Sequence, residues 1–342
     1  MAGTTRALPV RSSRLRAEIA LVALITIGCP GPSEEPVHRV VMEELPAGLL
    51  SVWGTSARDV WTVGADPGDG PYVLRYDGDG WTRIPTGAQG DAWWVHGFES
   101  DGSVLVGGEG GMILRWDGTS FARMETPSDA PTIFGIWGSA PDDVLAVGGL
   151  GRVAGFVWHY DGSEWRAIEL PEALEGRSLF KVWGRGRGDA WIVGTDGAVL
   201  HWDGEELAMH DAGTTRTLFT VHVGPDGSVA AVGGAGSGVL VVRDPEGAWH
   251  DVAPDLVPHL FGVFLTRDSG RAVGINGTFV RRESATWVVE DTGLALAETL
   301  HSVWIDPDGG VWAAGGQVLA EPLERGLLIY QGREEIASYE GE

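Results

Sequence analysis

The chain has 342 residues, 53 of them Gly and 16 Trp, with a formal charge of −24 and a pI near 4.6. That length holds one large domain or two ordinary ones. So acidic a surface repels phosphate backbones and anionic headgroups, which argues against nucleic acid and against electrostatic docking to membranes. Helix-forming runs are scarce and short apolar runs bounded by Gly abound, so the composition points to an all-β chain.

The N-terminus reads as an export signal. Arg6, Arg11, Arg14 and Arg16 form a basic leader, and Ile19 to Gly28 is an apolar core of ten residues, too short for a stable transmembrane anchor. It ends at Gly28-Cys29, and Cys29 is the sole Cys, so no internal disulfide is available. This junction resembles a bacterial lipoprotein signal, in which the Cys becomes the lipidated first residue of the mature chain; Thr26 stands where such signals usually carry Leu. The resemblance implies a signal peptide over 1–28, lipidation at Cys29, a polar tether over 29–36 and a folded domain over 37–342. The protein would then be exported and held at the cell envelope, at the outer membrane or cell surface, by its lipid alone. An ordinary secretory signal would leave it periplasmic or secreted.

Beyond the tether one unit recurs seven times. Its marker is an aromatic or His residue on the first apolar run: Trp53, His96, Trp137, Trp183, His222, Phe264 and Trp304, spaced 43, 41, 46, 39, 42 and 40 residues apart. No window keeps a helical period, and a repeat near 42 residues with several strands is the signature of a propeller. In the third unit, strand a is IFGIWG, strand b DVLAVGG, strand c FVWHYDG and strand d WRAIELP. The expectation is therefore a seven-bladed β-propeller of four-stranded antiparallel blades. Two runs compete to complete the last blade, Val37 to Glu43 and Glu335 to Tyr339, and the sequence leaves the choice open.

Connections vary unevenly. From the Asp after strand c to the start of strand d the spacing is four residues, as in Asp77 to Trp81, Asp117 to Phe121 and Asp161 to Trp165. That suits a tight Asp-Gly hairpin with positive φ. The b–c stretch swings more widely: 12 residues from Gly64 to Tyr76, 8 from Gly194 to Trp202, 15 from Gly315 to Tyr330. In a propeller the b–c and d–a loops share one face, which is where binding is expected. Loop length selects Asp66, Asp69, Arg152, Glu172, Glu175, Glu321 and Arg325 as candidate contact residues.

The hairpins Asp77-Gly78/Trp81, Asp117-Gly118, Asp161-Gly162/Trp165 and Asp203-Gly204 are similar to the Asp-box of bacterial-neuraminidase-type repeats. Later units depart from it, with Asp244-Pro245, Glu283-Ser284 and Gln331-Gly332 in its place. The pair Gly148-Gly149 with Tyr160 and Trp165 also resembles a kelch repeat. The Asp-box resemblance implies a superfamily of sialidases and of non-enzymatic binding propellers such as photosystem assembly factors; fold alone transfers no activity.

Sialidase chemistry needs an Arg triad, a Tyr–Glu nucleophile pair and an acid/base Asp at the channel. The nearest motif, Trp81 to Pro85, puts Arg83 on an outer strand d, and Trp165 to Ile168 repeats it as a scaffold feature. The nine His are scattered without metal-ligand spacing. The Asp-rich turns Asp66 to Gly70, Asp77 to Gly80 and Asp306 to Gly309 lack a full calcium loop and read as solvated turns, so no cofactor is expected beyond a weak case for structural calcium. The reading is a non-enzymatic, monomeric, exported scaffold engaging a protein or glycan at the envelope. The alternatives are a sialidase-like glycoside hydrolase or lyase with channel carboxylates, and an envelope assembly factor. The marker Trp residues are assigned to blade packing. Trp137→Ala should accordingly cost about 3–5 kcal/mol through the cavity it leaves, read from denaturant midpoints; an unchanged melting curve would remove Trp137 from the core.

Overall fold

The computed structural model describes residues 1–4, 37–129, 131–149 and 154–339. The remainder of the signal, Cys29, the tether and Arg152 lie outside the described residues. Among the described residues no helix is long and apolar enough to cross a membrane.

From Val37 onward the chain forms seven sheets, each of four antiparallel strands. In blade 3, strands a to d are Ile133–Ala140, Asp143–Gly148, Phe156–Tyr160 and Trp165–Ile168. The a strands of successive blades contact one another, so strand a lines the axis and strand d the rim. This is the seven-bladed propeller expected from the repeat.

The ring is closed by the N-terminal run. His38–Leu45 pairs with Glu324–Gln331 and becomes the outermost strand of the seventh blade, whose inner strands are Thr299–Ile305 and Val311–Gln317. It buries Val41, Met42 and Leu45, more apolar surface than the rival segment offers. Residues 335–339 form no strand. They cross to blade 1, where Ile336, Ala337 and Tyr339 pack on the cluster holding Tyr76 and Trp81, and Trp81 Nε1 donates to Ala337 O at 2.9 Å.

Every strand a carries a bulge at the same place. The a–b register slips by one residue at Leu50, Trp93, Phe134, Phe180, Phe219, Phe261 and His301, each three residues before its marker. Strand side chains alternate faces, so residues three apart would point oppositely; the extra residue puts both on the axial side. The slip also presses the start of strand a onto the end of strand b. A Cβ on the strand-b Gly opposite the start of strand a would lie 1.9 Å from a backbone oxygen at Gly148, 2.1 Å at Gly64 and 2.0 Å at Gly233. Close approach, rather than φ, explains why that residue is Gly in all seven blades.

The markers then divide into two groups, according to the residue that follows the marker in the next blade. Where it is Gly, the marker ring lies on it: a Cβ would fall 2.3 Å from Trp53 at Gly97, 2.7 Å from Trp137 at Gly184 and 2.8 Å from Trp304 at Gly54. Where it is Val223, Leu265 or Ile305, the preceding Trp183, His222 or Phe264 ring turns to the axis instead. Their centroids lie 4.5 Å apart for Trp183–His222 and 3.9 Å for His222–Phe264, and His96 joins at 5.7 Å from Trp183. His96 is followed by Gly138 in blade 3, but Phe98 already fills that place. These rings plug the channel, leaving an axial void of about 10 Å³, room for roughly one water.

Two outcomes test this packing. Gly97→Ala should destabilise the chain by about 1–3 kcal/mol through overpacking against Trp53, measured by denaturant unfolding. Burial lowers His96 to about 4 and His222 to about 3, below the ordinary 6.5. The unfolded chain therefore takes up these protons first, and stability should fall as pH drops from 6.5 toward 4. His222→Phe should flatten part of that decline; an identical pH profile in the variant would remove His222 as its cause.

Candidate functional site

The seven bulges build a surface at the end of the channel where the d–a and b–c loops emerge, because strand a starts there. Six bulged residues form a closed aromatic annulus. Ring centroids are 5.0 Å apart for Trp93–Phe134, 5.5 Å for Phe134–Phe180, 5.7 Å for Phe180–Phe219 and 4.8 Å for Phe219–Phe261. Phe261–His301 at 5.8 Å and His301–Trp93 at 5.9 Å complete it. Leu50, the seventh, is buried and offers its carbonyl to His301 Nδ1 at 2.6 Å. Trp93, Phe180, Phe219 and His301 keep part of their surface open at the mouth.

Lys181 lies among these rings. It follows the bulge in blade 4, and Gly135 in blade 3 lets its strand come close, since a Cβ there would meet Lys181 Cα at 2.9 Å. Its Nζ donates to Phe134 O and sits 4.4 Å from the Trp94 centroid, with no carboxylate pairing among the described residues. Burial pulls its pKa down to about 7. His301 is lowered to about 3, by burial first and by the Lys181 charge second. Neutral His301 must donate through Nδ1 to the Leu50 carbonyl, which leaves Nε2 as an acceptor. Around the axis Trp93 Nε1, Trp94 Nε1, His96 Nδ1 and His222 Nε2 are buried and without partners. The channel wall thus offers unpaired donors and acceptors, one amine and much aromatic surface. Neither the annulus nor the plug beneath it includes an Asp or Glu.

The loop candidates scatter. Asp66 accepts from the amides of Gly68, Gly70 and Gly90 at 2.7–2.8 Å, and against the burial that would raise it these bonds hold its carboxyl below the ordinary range. Asp69 pairs with Arg83 at 2.9 Å, and Arg325 with Glu44 and Glu298 at 2.8 and 2.9 Å. Glu172, Glu175 and Glu321 are exposed. The structure brings Asp66 and Glu321 toward Asp91 and Glu109, and Asp91 is raised by burial and then by these carboxylates. The described residues of the face around the annulus include the carboxylates of Asp66, Asp91, Glu109 and Glu321, while Arg83 and Arg325 there are paired with carboxylates.

Among the described residues no group of three His, Cys, Asp or Glu is placed to hold a metal ion. Asp77 and Asp306 each accept two turn amides on Oδ1, and Asp306 Oδ2 accepts from Trp312 Nε1 at 3.1 Å. Ser139, Asp143 and His159 meet, but Ser139 and His159 both bond Asp143 rather than each other, so no base activates the hydroxyl. Thr55–Asp59–Arg75 and Arg185–Asp189–His201 repeat this clamp in other blades. Arg83 sits on the rim with its guanidinium 4.1 Å from the Tyr72 ring centroid, away from the channel.

The marker positions read from the sequence do not include the annulus residues, and Trp93 holds the recurring bulge position in blade 2. The signal was present as an aromatic three residues before the marker in six units, with Leu50 in the first.

No protein-family model matches the chain, and no curated protein sequence matches it. Solved structures do. YCF48 bound to D1 peptide is 15% identical, with a TM-score of 0.65 over 88% of this chain and 100% of that one. YCF48 from Cyanidioschyzon merolae is 16% identical, with a TM-score of 0.65 over 86% and 98%. The WD40 propeller domain of Doa1 is 13% identical, with a TM-score of 0.67 over 89% and 100%. At these identities the likeness is one of fold: the chain is a seven-bladed propeller of the kind these proteins share.

Proposed function

We propose that the chain is a non-enzymatic binding propeller, exported and lipid-anchored through Cys29 at the cell envelope, that captures a protein partner on its loop-rich face. The observation that carries this reading is the aromatic annulus at the mouth of a plugged channel. Aromatic side chains supply large contact area at little entropic cost and concentrate binding energy. The absence of Asp and Glu from annulus and plug leaves a glycosidase without its two carboxylates. A peptide is held by one propeller of similar fold, the YCF48 complex, which supports a polypeptide occupant. The acidic loops around the annulus fit a partner that is apolar at its tip and basic around it.

The test is capture from envelope extract by the purified protein. Phe180→Ser with Phe219→Ser should lose the partner at least tenfold without loss of folding. Shortening the loops at 65–71, 149–156 and 316–325 should weaken it further. A partner retained through all of these changes lies on the other face, and a glycan-array signal without any protein partner overturns the partner class. Cys29→Ala should move the chain from membranes to the soluble fraction.

A further inference from the structure

The rim carries grooves between neighbouring blades, each running from the end of one strand d to the c–d hairpin of the next. At blade 1 the chain fills the groove with its own C-terminal segment, through Ile336, Ala337 and Tyr339. The receiving pair there is Tyr76 and Trp81, with centroids 5.2 Å apart and the Tyr76 hydroxyl donating to Gly78 O at 3.1 Å. Blade 3 repeats that pair. Tyr160 and Trp165 lie 5.3 Å apart, and the Tyr160 hydroxyl donates to Gly162 O at 3.0 Å. Tyr160 keeps part of its surface open, whereas Tyr76, beside the tail, is 2% exposed. The groove between blades 2 and 3 measures about 480 Å³ and is lined by Met124, Glu125, Pro127, Tyr160, Glu164 and Trp165. Trp165 is 6% exposed, and its Nε1 has no hydrogen-bond partner, whereas Trp81 Nε1 has one. In the groove between blades 3 and 4 the Trp position is Leu207, which offers no donor.

We infer that the groove between blades 2 and 3 is a docking site for an extended polypeptide segment of a partner protein. One backbone carbonyl of that segment accepts from Trp165 Nε1, as Ala337 does from Trp81. The partner residue at that carbonyl is small, with a larger apolar residue before it, as Ile336 precedes Ala337. A buried indole N–H left unbonded is costly, and the incoming carbonyl removes that cost. Charge selects the occupant. Among the described residues Glu125 lines the groove without an ion pair, whereas Glu164 is held by Arg166, and the chain's own tail carries Glu334 and Glu335 ahead of Ile336. A second copy's tail would bring like charges together, so the fitting segment is flanked by Lys or Arg.

Two labelled peptides test this on the full chain by fluorescence anisotropy. One is the chain's own sequence over 333–339, Arg-Glu-Glu-Ile-Ala-Ser-Tyr; the other carries lysine in place of both glutamates. The lysine peptide should bind, and Trp165→Phe should weaken it by about 2- to 12-fold, the value of one lost hydrogen bond. Glu125→Lys should weaken it in a salt-dependent way, and Trp81→Phe should leave it unchanged. Both test variants keep the scaffold, one by retaining an aromatic ring and the other by changing an exposed residue. Absence of binding at millimolar peptide, or affinity indifferent to Trp165→Phe, overturns the site. Equal affinity for the glutamate peptide overturns the basic partner in favour of a second copy. The annulus variants leave this groove intact, so the two sites fail separately.

Discussion

An aromatic ring laid on a glycine of the next blade is the contact on which the closed ring depends. Blades of a propeller pack face to face, yet their a strands must converge at an axis where side chains would collide. Trp53 on Gly97, Trp137 on Gly184 and Trp304 on Gly54 solve this by placing one large side chain where its neighbour has none. Each such Trp can bury roughly 150–250 Å², and the whole arrangement turns tangentially around the axis. When the neighbour is Val223, Leu265 or Ile305, no such seat exists and the ring has nowhere to go but inward. A choice between Gly and a branched residue, made one blade away, thus decides in six blades whether a marker locks blades or plugs the channel. Blades 4 to 6 plug it and blades 1, 3 and 7 lock; in blade 2 Phe98 takes the seat on Gly138, and His96 joins the plug.

The bulge is the second half of the same design. It brings two residues three apart onto the axial side, so a single strand supplies both a plug or lock residue and an annulus residue. It also forces the backbone contact that requires a Gly in every strand b opposite the start of strand a, at Gly64, Gly108, Gly148, Gly194, Gly233, Gly274 and Gly315. The most cohesive candidate surface is therefore produced by the most regular part of the repeat. The expectation that departures from the repeat, the long loops, would carry the contacts picks out three residues held by the protein itself, Asp66 by three amides, Asp69 by Arg83 and Arg325 by two glutamates, and three exposed ones, Glu172, Glu175 and Glu321.

The period, the four strands per unit and the Asp-Gly hairpins were legible because each is written in local sequence. Asp77, Asp117 and Asp203 do hold the amides two and three residues on, and Gly78, Gly118 and Gly204 do adopt φ near +100°. Ring closure was not legible, because Val37 to Glu43 and Glu335 to Tyr339 are both short and half apolar, and their difference lies in how much surface each can bury. The annulus was hidden for a different reason. Strand alternation assigns Phe134 and Trp137 to opposite faces, and only the bulge, a property of pairing between strands, puts them on one.

Electrostatics sharpen what the proposed site would accept. In a chain of net charge −24, the channel holds one amine, Lys181, without a carboxylate, beneath a ring of aromatic faces. Aromatic cages ordinarily attract cations, and here Lys181, in its protonated form, already occupies that role against Trp94. A cationic side chain entering the annulus would meet Lys181 in a low-dielectric setting, where like charges repel strongly. An anionic one would have to pass the acidic loops first. What remains is a neutral, apolar tip directed at the axis with basic residues held outside it, facing Asp66, Asp91, Glu109 and Glu321. Affinity would then come from the rings, while the two layers of opposite charge, amine within and carboxylates around, set which partner can use them.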